Sequence, residues 1–113
     1  MQPRIEIIGD VAVVEVPFDQ LAMGAELNFK LSMADILEKH HRLVLDMKRV
    51  KYIDSAGCGA IISCLKKVRQ AVDGDLRICQ VTPVVRTVFD LIRLHKMCDI
   101  LETRDDAVRA FGT

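Results

Sequence analysis

The residues whose types and spacing could do chemistry stand together in Ile53-Asp54-Ser55-Ala56-Gly57-Cys58-Gly59-Ala60, where a small hydroxyl residue meets the start of a helical pattern. Two uses of that hydroxyl follow from residue chemistry. It can cap the unpaired amides of the first helical turn. Alternatively it can accept a phosphoryl group, adding nearly two negative charges at a helix start whose dipole tolerates them. Gly57 and Gly59 lower helix stability, yet they strip side chains from the first turn and let another backbone or a phosphate come close. Asp54 would stand beside the added charge and repel it. A partner that fits a bare hydroxyl would then be turned away while the fold survived. Residue chemistry alone leaves the purely structural use standing, with Ser55 as a cap and the glycines as packing aids against a sheet.

Other candidate groups support less. An enzyme needs a nucleophile, a base and an orienting group, and only Ser55 or Cys58 could nominally be the first. The segment is not a G-x-S-x-G elbow, and the histidines, His40, His41 and His95, have no place near it in the sequence. His40-His41 at a helix end suits the last carbonyls. No catalytic residue is therefore expected. Cys58, Cys64, Cys79 and Cys98 lack C-x-x-C or zinc-site spacing and sit among apolar neighbours, so reduced core cysteines are expected, with no metal. No G-x-x-x-x-G-K-S/T loop or protein-kinase signature is present, and no cofactor is expected. Lys66, Lys67 and Arg69, like Arg86 and Arg93, read as solvated surface.

The elements that must position Ser55 belong to one domain spanning residues 1–113, a length at which a chain buries about two thirds of its unfolded surface. Half of the residues are apolar, and Lys plus Arg balance Asp plus Glu at 16 each. That balance argues against direct binding of nucleic acid. No run approaches bilayer-spanning length, so neither membrane insertion nor a signal segment is expected and a cytoplasmic location follows as an expectation.

Ile5 to Ile8 and Val11 to Val16 read as a hairpin across Gly9-Asp10, ended by Pro17, with a loop from Phe18 to Gly24. Glu26 to Lys39 is helical. Asn28, Ser32, Asp35 and Lys39 form its polar strip, while Leu27, Phe29, Leu31, Met33, Ala34, Ile36 and Leu37 make an apolar arc broader than one sheet requires. A neighbouring helix or a partner surface, including a homodimer, would cover the excess. Arg42 to Met47 is a strand and Val50 to Ile53 an extended piece. The next helix packs through Cys58, Ile61, Ile62, Leu65, Val68 and Val72 and ends at Asp73-Gly74-Asp75. Leu76 to Val81 is a strand, Thr82-Pro83 opens a helix with Thr82 suited to cap, and Val84, Val85, Val88, Phe89 and Ile92 line its packed side. Cys98 to Leu101 is a last strand, and Thr103 with Asp106 caps a final helix over Ala107 to Phe111. Helical crossovers between the later strands favour parallel neighbours, so the fold class is α/β, a mixed sheet with helices packed on it.

Val44-Leu45-Asp46-Met47, Tyr52 to Gly59, Gly74 to Cys79 and Thr82 to Leu91 together resemble the STAS domain of bacterial anti-sigma-factor antagonists, from about Leu43 to the C-terminus. In that family the serine after the aspartate of an Asp-Ser-Ser/Thr-Gly motif is phosphorylated by an anti-sigma factor that is itself a serine kinase. The resemblance therefore implies Ser55 as phosphoacceptor and a partner-binding surface of Asp19, Asp54, Ala56, Gly57 and Cys58. Ala56 stands where the family usually has a second hydroxyl. Val16-Pro17-Phe18-Asp19-Gln20-Leu21 replaces the family's Gly-x-Leu-Asp turn, which puts Asp19 in place of that turn's aspartate. The implied partners are an anti-sigma factor with serine-kinase activity and a serine phosphatase, with ATP and magnesium in the kinase. The alternative the family allows is a non-switching scaffold or adaptor subunit of a larger signalling or transport complex.

Overall fold

The β-branched runs at the start of the chain pair as expected. In the computed structural model, which describes residues 2–112, β1 (Arg4–Ile8) and β2 (Val11–Glu15) form an antiparallel hairpin. Met1 and Thr113, the ends of the expected domain, lie outside the described residues. The chain continues through β3 (Gln20–Leu21), α1 (Ala25–Lys39), β4 (Arg42–Asp46), β5 (Tyr52–Ile53), α2 (Ser55–Val68), β6 (Asp75–Cys79), α3 (Pro83–Leu91), a single 3-10 turn at Leu94–Lys96, β7 (Ile100–Leu101) and α4 (Arg104–Arg109). The main sheet has the order β1-β2-β4-β6-β7, with every pair after the first parallel. It is the mixed sheet the crossovers require.

Alternation along the strands divides the core between the two faces. Ala12, Val14, Leu43, Leu45, Leu76 and Ile78 point to the face covered by α1, α2 and α3, whereas Val11, Val13, Val44 and Cys79 meet Ala107 and Val108 of α4 on the other. All four cysteines are free and buried. Burial raises each thiol, to about 11 for Cys64 and Cys98 and to about 12 for Cys79, where the Asp46 charge adds to it. Protonated, enclosed thiols are inert.

Several boundaries differ from the sequence reading. The segment from Phe18 to Gly24 is not all loop: β3 pairs in parallel with β5 as a separate two-stranded ribbon. Two residues are too few to show a period, so only the tertiary pairing reveals it. α2 stops at Val68, and Val72 lies outside it, almost fully exposed rather than packed. β6 ends at Cys79, before Val81, because Gln80 takes a positive φ of 57°. On α3, Val85 and Phe89 are buried but Val84 and Ile92 are exposed. Thr82 does not cap α3 through its side chain; its hydroxyl donates instead to the Val50 carbonyl at 3.0 Å, tying the start of α3 to the turn after β4. α4 begins at Arg104, earlier than read, with Thr103 accepting from the Asp106 amide at 3.0 Å as expected. The broad arc of α1 is only partly covered. Phe29, Met33 and Ile36 are buried while Leu27 and Leu31 remain 59% and 67% exposed.

Candidate functional site

Ser55 is the first residue of α2 and is exposed at the surface. Its hydroxyl makes no hydrogen bond to another described residue, so the cap is not Ser55. Asp54 holds the N-cap position in extended conformation, and its Oδ1 accepts from the Gly57 amide at 3.0 Å. The reason is geometric: the side chain of the residue before the first turn reaches the third amide, whereas a residue already inside the helix points outward. Oδ2 of the same carboxylate accepts from the Met23 amide at 2.9 Å. Asp54 thus clamps the loop after β3 onto the start of α2, and Ser55 is left free.

The Gly57 amide first, and the Met23 amide second, hold the Asp54 carboxyl below its ordinary range, so it stays ionised beside Ser55. A carboxylate whose folded pKa is depressed contributes stability above its unfolded value and loses it as pH falls through the folded one. Asp54→Asn is therefore expected to melt below wild type at neutral pH, the gap closing as pH falls below the ordinary aspartate range and through the lowered folded pKa. Thermal melts of both proteins across pH check this; a gap that does not change with pH would show that the charge contributes nothing.

The glycines divide their work. A Cβ on Gly57 would lie 1.9 Å from the Leu21 carbonyl oxygen and 2.7 Å from Cγ1 of Ile53, so only glycine lets β3 cross the first turn of α2. A Cβ on Gly59 would meet nothing within 4 Å. Gly59 sits one helical turn beyond Ser55, and with exposed Ser63 a turn further on it continues a bare strip along α2. A partner's backbone can approach closely there.

Of the residues expected to bind a partner, the structure brings Asp54, Ser55 and Ala56 together at the surface. Gly57 and Cys58 are buried, Cys58 being only 3% exposed, so they shape the site and present no side chain. Burial first, and the Asp54 charge second, raise the Cys58 thiol, which removes it as a nucleophile. Asp19 is exposed, and its carbonyl accepts from the Lys51 amide at 2.7 Å and the Tyr52 amide at 3.2 Å, placing it beside the start of β5, two to three residues before Asp54. Met23 and Tyr52, both exposed, add apolar surface on the neighbouring segments. The sequence named Gly59 together with Gly57 as an opening in the first turn, but did not single out Met23, whose signal exists only in the Asp54 clamp.

A second polar cluster was also not legible. Glu15 and Asp46 are adjacent across β2 and β4 at the ends of their strands, both buried, on the α4 face. Arg104 at the start of α4 donates from Nε to Asp46 at 2.6 Å and from its other nitrogens to Glu6 at 3.0 Å and Glu15 at 3.4 Å. Gln80 donates to Asp46 at 3.2 Å and Lys48 Nζ lies 3.5 Å from Glu15. The cluster fixes α4 to the sheet. Among the described residues no group of His, Cys, Asp and Glu could hold a metal ion, and no helix is long and apolar enough to cross a membrane.

A sheet with one antiparallel edge, helices on both faces and a free serine opening the helix after β5 define a class that comparison with known proteins identifies. The STAS domain profile matches residues 2–107, and the chain belongs to the STAS domain family. It is 35% identical over 80 residues to BtrV of Bordetella bronchiseptica, described as a candidate anti-sigma factor antagonist, covering 71% of this chain and 68% of that protein. Among solved structures, a candidate anti-sigma factor antagonist of Thermotoga maritima superposes with a TM-score of 0.87 at 24% identity, over 98% of this chain and 95% of that one. Bacillus SpoIIAA in its phosphorylated form superposes with a TM-score of 0.68 at 17% identity, over 96% of this chain and 97% of that one. The expected family and fold class are thereby established.

Proposed function

We propose that this protein is an anti-sigma factor antagonist whose docking is switched at Ser55. Unmodified, it binds an anti-sigma factor that is also a serine kinase and so frees a sigma factor; phosphorylated, it lets go until a serine phosphatase restores the hydroxyl. The observation that carries this reading is the free hydroxyl of Ser55, exposed at the start of α2 while Asp54 does the capping. Because the cap is elsewhere, modifying Ser55 breaks no bond of the fold. The added charge of about −1.5 to −2 meets the positive end of the helix dipole, which offsets repulsion from Asp54. For a docked partner the same charge is a desolvation cost and a steric bulk. The relatedness to BtrV supports the class of partner, and the existence of a STAS-fold protein in a phosphorylated form supports the fold's tolerance of the modification.

On this reading the chain is no enzyme and supplies only the acceptor, with ATP and magnesium held by the kinase, all in the cytoplasm. Pull-down with the cognate anti-sigma factor is the test. Wild type and Ser55→Ala are expected to be captured equally and Ser55→Asp at least about tenfold less, a loss of about 1.4 kcal/mol. Incubation with the kinase and ATP should add one phosphate to wild type and none to Ser55→Ala. Equal capture of all three, or an unchanged phosphate on the alanine protein, would overturn the assignment. A non-switching scaffold is the second reading, favoured by the exposed Leu27 and Leu31 on α1; it gives equal capture in that experiment.

A further inference from the structure

We propose that β1 is the docking strand for a second copy of this chain, pairing antiparallel about a two-fold axis in the one register that sets Arg4 of each copy opposite Glu6 of the other. The inference does not depend on Ser55. Among the described residues β1 is the edge of the main sheet and pairs only with β2, so one side of its backbone has no strand partner there. Which groups lie on that side follows from the turn. Gly9, with φ of 62°, and Asp10 join Ile8 directly to its partner Val11. A two-residue hairpin of this kind makes the flanking pair doubly hydrogen-bonded. Alternation then turns the amides and carbonyls of Ile8, Glu6 and Arg4 toward β2 and those of Ile7 and Ile5 toward the open edge.

An antiparallel copy must match those outward groups, which leaves five registers centred on residues of β1; those centred on Ile7 or Ile8 run the strand onto the Gly9-Asp10 turn of the other copy and shorten the ladder. With Arg4 opposite Arg4, or Glu6 opposite Glu6, like charges face each other across the ladder. With Ile5 opposite Ile5, each Arg4 faces a Glu6 of the other copy, and opposite-charge pairs replace the repulsion. The hydrogen bonds fit the same register. The Ile5 amide and carbonyl of each copy bond those of the other, and each Ile7 amide donates to a Pro3 carbonyl. Pro3 has no N–H to satisfy, which makes it a natural end to the ladder. On the opposite face of the strand Ile5 and Ile7 are 45% and 53% exposed, and the pairing brings Ile5 against its own copy. α2 packs on β5 and β6, so a dimer through β1 keeps both Ser55 sites open.

One short strand buries little area, so the dimer is weak and calls for measurement at high concentration. Sedimentation equilibrium on the full chain from about 10 µM to about 1 mM is expected to show wild type passing from monomer to dimer. Arg4→Glu and Glu6→Arg are each expected to weaken dimerisation about tenfold or more, because each sets like charges opposite. An equimolar mixture of the two variants should dimerise again, since every cross-strand pair in the mixed dimer is Glu against Arg. Circular dichroism establishes that each variant is folded. Should Glu6→Arg fail to fold through loss of its Arg104 contact, Ile5→Cys keeps the proposal testable: oxidation should then give a disulfide-linked dimer. A strict monomer throughout, a mixture that stays monomeric while wild type dimerises, or a dimer unaffected by Arg4→Glu would overturn the proposal, the last pointing to the exposed Leu27 and Leu31 face of α1.

Discussion

Gly57→Ala is expected to destabilise the domain by about 3 kcal/mol or more, although alanine is the better helix former by roughly 1 kcal/mol. The clash decides the sign. The new Cβ would lie 1.9 Å from the Leu21 carbonyl oxygen, which is backbone and cannot rotate away as a side chain could. Either β3 must lift off α2 or the first turn must unwind. The first separates Met23 from Asp54, and the second breaks the Asp54 cap on the Gly57 amide. Gly59→Ala is the matched control. Its Cβ meets nothing within 4 Å, so relief of backbone entropy should stabilise the helix by about 0.5–1 kcal/mol. Urea denaturation of both variants gives the two numbers. Equal effects would mean that β3 does not cross α2 as closely as described. The proposed docking surface adds a further expectation: Gly59→Ala keeps the fold, and any loss of partner capture by it reports crowding beside Ser55.

Arg104→Met is expected to cost about 3–5 kcal/mol, a large part of the roughly 5–15 kcal/mol that holds a domain of this size together. Asp46 is fully buried, and its Arg104 contact at 2.6 Å is its one link to a cationic side chain within 4 Å. Removing the guanidinium leaves a carboxylate in the interior with only Gln80 and the Lys48 amide to hold it. Glu15 suffers less because Lys48 and Arg49 remain within 3.5 and 3.9 Å. The double variant Asp46→Leu with Arg104→Met should recover most of the loss, since taking away both charges also takes away the desolvation cost. Guanidinium denaturation of wild type, the single variants and the double variant forms the cycle. Additive losses would show that the two residues act independently.

The two experiments probe parts of the molecule that differed in how readable they were. The Gly57 position lies in a motif visible in the chain, because Asp54-Ser55-Ala56-Gly57 interrupts an apolar pattern with residues that belong at a helix start. The reading erred over which of them caps. Serine and aspartate are both good caps, and a shift of one residue decides which is outside the helix and which is its first member. That single residue matters for function, since it leaves Ser55 uncommitted. The Arg104 cluster gave no local sign. Glu15, Asp46 and Arg104 are separated by whole elements, and each by itself looks like an ordinary charge at a strand end or helix start.

The same division holds for the elements. Strands and helices longer than one period announced themselves, as in β2, β4 and α2, because alternation and 3.6-residue spacing are written into side-chain order. β3 and β5 are two residues each, too short for any period; β5 lies within the piece expected to be extended, Val50 to Ile53, whereas β3 emerges only because the folded chain brings Leu21 beside Ile53. Thr82 looked like a cap and became a cross-link to Val50 for the same reason. What the order of residues determined alone was the α/β class, the succession of crossovers and the position of the free serine's segment, all consequences of local periodicity and backbone chemistry. What only the tertiary structure decided was which groups distant in the chain share a buried charge, which glycine is enclosed and which open, and which apolar side chains stay at the surface. Those depend on contacts between elements, and no short window of sequence contains both sides of such a contact.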